Sequence, residues 1–130
     1  MTSLAHATAD SHHFEHQLHR HQHRIVAAHK PANLDFVQAA SIPMVGLTAW
    51  QALKERIGLR AGQKVFIPAG SGGIGSFAIQ LAKQLGARVG TTTSTGNVGL
   101  VRSLGADDVV DYKRQDFATV LRDYDAVLGT

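Results

Sequence analysis

The sequence predicts an α/β fold: part of a doubly wound parallel sheet of strand order 3-2-1-4, with lead-in helices and a disordered, His-rich N-terminal segment. Three observations carry that prediction. The apolar run Lys64-Val-Phe-Ile67 passes without a break into a glycine turn and then an amphipathic helix. From there to the end of the chain, short β-preferring runs alternate with helical patterns, as a parallel sheet with right-handed crossovers requires. The composition also changes abruptly near Lys30, with all 8 histidines on its N-terminal side.

The chain has 130 residues, enough for one compact domain and short of the two that most nicotinamide oxidoreductases use. Its 13 basic and 10 acidic residues give a formal net charge of +3 with no run of like charges, so no nucleic-acid stripe is expected. There is no cysteine, hence neither a disulfide framework nor a thiolate metal site. No stretch approaches the roughly 18 apolar residues of a membrane span, and Met1-Thr-Ser-Leu-Ala-His6 lacks the basic and apolar regions of a secretory signal. The expectation is a cytoplasmic protein with neither a membrane nor a nucleic-acid partner.

Residues 1–30 contain few large apolar side chains and are read as a tail. His12 with His16, and His19 with His23, are spaced to share a helix face, where two imidazoles can chelate one ion. Against that metal-binding module stand a solvated tail with accidental spacing and a non-native leader read in a shifted frame. Beyond Lys30, Asn33 or Asp35 can cap a short helix containing Phe36, Val37 and Ala40, which Ser41-Ile-Pro43 is expected to end. A second helix is expected over residues 46–59, with Leu47, Trp50, Leu53 and Ile57 as its core stripe. Strands follow at Val65–Ile67, Ala87–Thr93, Asp108–Asp111 and Asp125–Leu128, separated by helices at Ile74–Leu85, Asn97–Leu104 and Phe117–Leu121.

Gly70-Ser71-Gly72-Gly73-Ile74-Gly75 satisfies G-x-G-x-x-G after a strand and at the opening of a helix, the context that makes it a dinucleotide-binding, Rossmann-type turn. Gly70 is expected to permit the tight turn, Gly72 to leave room for a pyrophosphate, and Gly75 to let the helix lie close to its strand. A P-loop is excluded, because Ser76 and Phe77 follow Gly75 where Lys and Ser or Thr would be needed. NAD sites commonly place an acidic residue about 20 positions on, to hold the ribose 2′-hydroxyl. Between Arg56 and Ala106 there is none, and Thr92, Thr93, Ser94 and Asn97 offer neutral hydrogen-bonding groups instead. NADP(H) is therefore the expected cofactor. Arg88 and Arg102 are read either as added positive charge near that site or as solvated strand and helix residues.

Pro31-Ala-Asn-Leu-Asp-Phe36, Ala39-Ala-Ser-Ile-Pro-Met-Val-Gly-Leu-Thr-Ala-Trp50, the glycine turn, Leu104-Gly-Ala-Asp107 and Val110-Asp-Tyr112 together resemble the medium-chain dehydrogenase/reductase superfamily. Within it they resemble the zinc-independent, NADPH-dependent quinone oxidoreductase branch. The resemblance covers residues 31–130 and implies an incomplete Rossmann coenzyme-binding domain there. It implies that Ser71, Gly72, Gly73 and Ile74 contact the pyrophosphate. Ser94, Asn97 and Tyr112 would surround the 2′-phosphate end, and Thr48 would lie near the nicotinamide. The family often has Lys or Arg at Asn97 and Asp at Gly129, and it carries a GroES-like β domain ahead of Pro31 and further strands beyond Thr130.

The expected activity is hydride transfer from NADPH to a quinone or activated alkene, with a small-molecule acceptor in the intact family. No protein nucleophile is required, no catalytic residue is assigned, and the chain alone is expected to be inactive. A non-catalytic nucleotide-binding fragment of a truncated or frameshifted gene, and the His-tail metal module, remain as alternatives. A short-chain dehydrogenase is disfavoured, since neither Tyr112 nor Tyr124 has a lysine four residues on. An open sheet with an unpaired edge favours self-association, hence a homo-oligomer.

Overall fold

A computed structural model of the protein describes residues 28–129; the histidine pairs His12/His16 and His19/His23 lie outside the described residues. Two compact units divide the described residues, the first ending at Leu47 and the second starting at Thr48. In the first, helix α1 (Phe36–Ala40) is capped by Asp35, whose carboxylate accepts the Gln38 amide at 2.7 Å while Gln38 Oε1 accepts the Asp35 amide at 3.1 Å. This reciprocal capping box selects Asp35 over Asn33. Phe36 and Val37 are exposed, and the buried residue of α1 is Ala39.

Pro43 does not end the helical run. Helix α2 (Ile42–Trp50) starts one residue before it, so the proline falls in the first turn, where its missing N–H has no intrahelical partner to lose. Within the second unit, α2 continues through Gln51–Arg56 in the wider π-helical pattern, the Ile57 amide reaching Ala52 O five residues back. The expected stripe is corrected at its first member: Leu47 is exposed, while Ala49 and Leu53 are buried. In the α-helical part of α2, at 3.6 residues per turn, Leu47 and Ala49 stand about 160° apart, so the face that buries Ala49 leaves Leu47 outside.

The sheet has the predicted order. Strands β1 (Lys64–Ile67), β2 (Arg88–Thr93), β3 (Asp108–Asp111) and β4 (Ala126–Val127) are all parallel and arranged β3-β2-β1-β4. Helix α3 (Gly73–Gln84) connects β1 to β2. A 3-10 turn at Thr95–Asn97 and helix α4 (Val98–Ser103) connect β2 to β3, and α5 (Phe117–Val120) lies between β3 and β4. Val65, Ile67 and Val89 of the sheet pack with Ala78, Ile79 and Ala82 of α3 and Val101 of α4, joined by Ala49, Leu53 and Leu59.

Two devices repeat along the second unit. Gly86 (φ +84°) and Gly105 (φ +113°) end α3 and α4, with Ala87 and Ala106 amides returning to Ala82 O and Val101 O at 3.1 Å. These are Schellman closures, which need the left-handed conformation that glycine adopts without strain. The residues before β3 and β4 then clamp the neighbouring strand: Asp107 donates its amide to Val89 O at 2.8 Å and accepts the Val89 amide on its carboxylate at 2.8 Å. Asp125 does the same with Lys64, also at 2.8 Å in both directions. Because every strand runs the same way, the residues following β1, β2 and β3 collect at one edge of the sheet.

Candidate dinucleotide site

That edge holds the glycine turn. Helix α3 begins at Gly73 with Gly72 as an extended N-cap, and the Ser76 amide to Gly72 O, at 2.9 Å, starts the intrahelical ladder. The amides of Gly73, Ile74 and Gly75 precede that bond, so the helix leaves them to an outside acceptor, and the helix dipole favours an anion there. The residue in the left-handed region is Ala69, at φ +51°. Gly70 therefore answers a demand for space more than for conformation: a Cβ there would stand 2.2 Å from Thr91 Oγ1 and 2.8 Å from Ile79 Cδ1. A Cβ on Gly75 would stand 2.4 Å from Ala69 O, so this glycine does let the helix close on the turn.

The three threonines of β2 are buried, and each holds one point of the turn. Thr91 Oγ1 donates to Ile67 O at 2.6 Å, Thr92 Oγ1 accepts the Ala69 amide at 3.2 Å, and Thr93 Oγ1 donates to Ser71 Oγ at 2.9 Å. The Gly70 amide adds a 2.9 Å bond to Thr92 O. Asn97 Nδ2 reaches Ser71 Oγ at 3.5 Å and Ser94 Oγ at 3.3 Å. Ser71, Thr93, Ser94 and Asn97 thus form one uncharged cluster where the turn meets the end of β2.

Two further expected site residues, Tyr112 and Thr48, lie outside the cluster. Tyr112 follows β3, its amide bonded to Thr93 O at 3.2 Å and its side chain exposed. Thr48 is exposed on α2, an element separate from the cluster. Asp111 is a neighbour that a linear reading misses. It lies beyond the acid-free stretch, yet the β2–β3 register brings its carboxylate to Thr95 Oγ1 at 2.5 Å. The Thr95 hydrogen bond, followed by the Lys113 amide and the Arg114 and Lys113 charges, holds that carboxyl below its usual range, overcoming partial desolvation.

Arg88 and Arg102 do not serve this edge. Arg88 opens β2, about 16 Å from Thr93 at strand rise, and pairs with Asp108 through two bonds of 2.9 and 3.1 Å. Arg102 lines a hollow of about 370 Å³ with Lys64, Arg88, Asp107, Asp108 and Tyr124. The Arg88 hydrogen bond holds the Asp108 carboxyl below the usual range. Tyr124 packs over Gly90, where a Cβ would meet its hydroxyl at 1.9 Å, and burial, reinforced by Asp108, pushes its phenol up to about 12.

Residues 73–126 match the zinc-binding dehydrogenase family. The chain is 48% identical over 92 residues to a trans-enoyl reductase of Aspergillus terreus, pgmF, covering 71% of this chain and 26% of the relative. It is 52% identical over 89 residues to the mitochondrial NAD(P)H oxidoreductase RTN4IP1 of Danio rerio, covering 65% and 23%. The quinone oxidoreductase of Coxiella burnetii superposes with a TM-score of 0.72 at 45% identity, over 76% of this chain and 31% of that one. The chain belongs to the medium-chain dehydrogenase/reductase superfamily. A further member, the quinone oxidoreductase of Thermus thermophilus, solved also with NADPH, superposes at a TM-score of 0.68 and 32% identity over 77% and 34% of the two chains. The chain spans about a quarter of the length of these curated members of the superfamily. Among the described residues no three of His, Cys, Asp and Glu come together to hold an ion.

Proposed function

We propose that this chain is the first part of the coenzyme-binding portion of a zinc-independent, NADPH-dependent reductase that acts on a quinone or an activated alkene. The observation that carries the reading is the uncharged Ser71–Thr93–Ser94–Asn97 cluster beside the helix amides of the glycine turn. The turn suits a pyrophosphate, with Ser71, Gly72, Gly73 and Ile74 in contact and Gly70 and Gly75 shaping the approach. Ser94, Asn97 and Tyr112 surround the 2′-phosphate. Asp111 weighs against an added anion, but its charge is engaged by Thr95 and offset by Lys113 and Arg114, and no carboxylate occurs within the cluster. Thr48 lies on the nicotinamide side. NADPH supplies the hydride when bound; this chain's residues bind and orient it.

The acceptor's identity follows the relatives described as a trans-enoyl reductase and as quinone oxidoreductases. We place the protein in the cytoplasm and as a homo-oligomer; no helix among the described residues is long and apolar enough to cross a membrane. The reading is tested by retention of the folded chain on immobilised 2′,5′-ADP, which should exceed retention on 5′-AMP. Equal retention on the two sinks the NADPH assignment. Mixed with NADPH and a quinone, the chain by itself should oxidise no NADPH; turnover at family rates would show that the coenzyme portion does not need the rest of its relatives' length.

A further inference from the structure

We propose that Thr93 is a positioning residue that makes Ser71 an obligate hydrogen-bond donor to a phosphoryl oxygen of the bound nucleotide; the inference rests on the coenzyme-binding reading and adds how the site recognises its ligand. A serine hydroxyl has one hydrogen and two acceptor lone pairs. Thr93 Oγ1 donates to Ser71 Oγ at 2.9 Å and Asn97 Nδ2 donates to the same oxygen at 3.5 Å. Both lone pairs are engaged from the protein side. Ser71 is left with its hydrogen, which an accepting atom on the ligand can take in place of water.

Thr93 can impose this because it is itself fixed. It is 1% exposed, at the end of the central strand β2, and its backbone oxygen takes the Tyr112 amide from the neighbouring strand. Ser71, half-buried on the turn, faces it across 22 residues of sequence. A phosphoryl oxygen, which is anionic and accepts only, is the partner that gains most from a preoriented donor. A ligand group that must donate gains nothing. Thr91 and Thr92 hold backbone atoms of the same turn; only Thr93 holds a side chain that can reach a ligand.

The test is a double-mutant cycle on the full chain, read by calorimetric affinity for 2′,5′-ADP with thermal melting as a separate measure of folding. Thr93→Val keeps the volume and removes the hydroxyl, and should weaken binding about tenfold, the size of one charge-assisted hydrogen bond. Thr93→Ser should restore affinity, and in a Ser71→Ala background Thr93→Val should cause no further loss. Undiminished binding by Thr93→Val, or additive losses in the cycle, overturns the proposal, since a structural role would act independently of Ser71. Should Thr93→Val fail to fold, Ser71→Ala decides: unchanged affinity there is equally fatal. If the unaltered folded chain binds neither 2′,5′-ADP nor 5′-AMP, the coenzyme reading falls along with this one. Normal binding by the parent chain with an unaffected Thr93→Val removes this one alone.

Discussion

Asp111 shows what one side chain from a neighbouring strand does to a site read from a linear motif. Its carboxylate accepts from Thr95, one residue past Ser94, so it contributes negative charge at the margin of the place assigned to a 2′-phosphate. Asp111→Asn keeps an oxygen for Thr95 and removes the charge. It should raise the preference for 2′,5′-ADP over 5′-AMP about threefold at low salt, the gain shrinking as ionic strength rises; competition binding at two salt concentrations checks it. Gly70 makes a second residue-scale prediction. Its absent Cβ would enter the space of Thr91 Oγ1 and Ile79 Cδ1, so Gly70→Ala should destabilise the fold by about 1–3 kcal/mol in urea denaturation and disturb the Thr91 bond to Ile67 O. The need for glycine at position 70 was legible in the motif, but its reason was not. A spacing rule specifies a turn, whereas the obstruction comes from β2 and α3, more distant in sequence.

Among the elements, the paired aspartates set how the strands line up. Asp107 and Asp125 each grip both backbone groups of a residue on the adjacent strand, which ties β3 to β2 and β4 to β1 at their starts. Asp107→Ala should cost about 1–3 kcal/mol, because the Val89 amide loses a charged acceptor and Lys83 loses its 2.9 Å partner. Protection of the Val89 amide from hydrogen exchange should fall with it. Strand order was legible from the alternation of elements and the crossover rule, since parallel neighbours joined by helices leave few arrangements. The helices before β1 were less so. Proline is compatible with the first turn of a helix as well as with its end, and Pro43 alone does not tell the two apart. Nor does a three-three-four spacing specify which side is covered, and the fold exposes Leu47 while it buries Ala49.

For the molecule as a whole, the two ends of the sheet divide the labour. The end where the strands start concentrates ionised groups, Lys64, Arg88 and Asp108 around Tyr124; the end where they finish is built of hydroxyls and an amide, with the Asp111–Arg114 ion pair at its margin. Stability should respond to acid through Asp108 at the first end and Asp111 at the second, and to alkali through Tyr124. Asp108 has a lowered folded-state pKa, so its contribution is present above the ordinary carboxylate value of about 4 and is lost as pH falls through and below it. Tyr124 is raised to about 12, so the neutral phenol favours the fold below the ordinary value of about 10, and that contribution is lost as pH climbs from there to about 12. Melting curves across pH should show both shoulders, with Asp108→Asn flattening the acid one and Tyr124→Phe removing the alkaline one. Composition showed these charges only as scattered; their convergence depends on the register that places Gly90 opposite Asp108.

The run of threonines in β2 also bears on how such a chain tolerates change. Valine occupies nearly the same volume and favours a strand at least as well, so a mutational drift that tracks only shape and burial would accept valine at residues 91, 92 and 93. Such a chain would keep its sheet and melt cooperatively, while the turn beside it lost Ile67 O, the Ala69 amide and Ser71 as partners. At this strand, foldability and the hydrogen bonds that hold the glycine turn are encoded in different atoms of the same side chains, and selection can act on one without the other registering it.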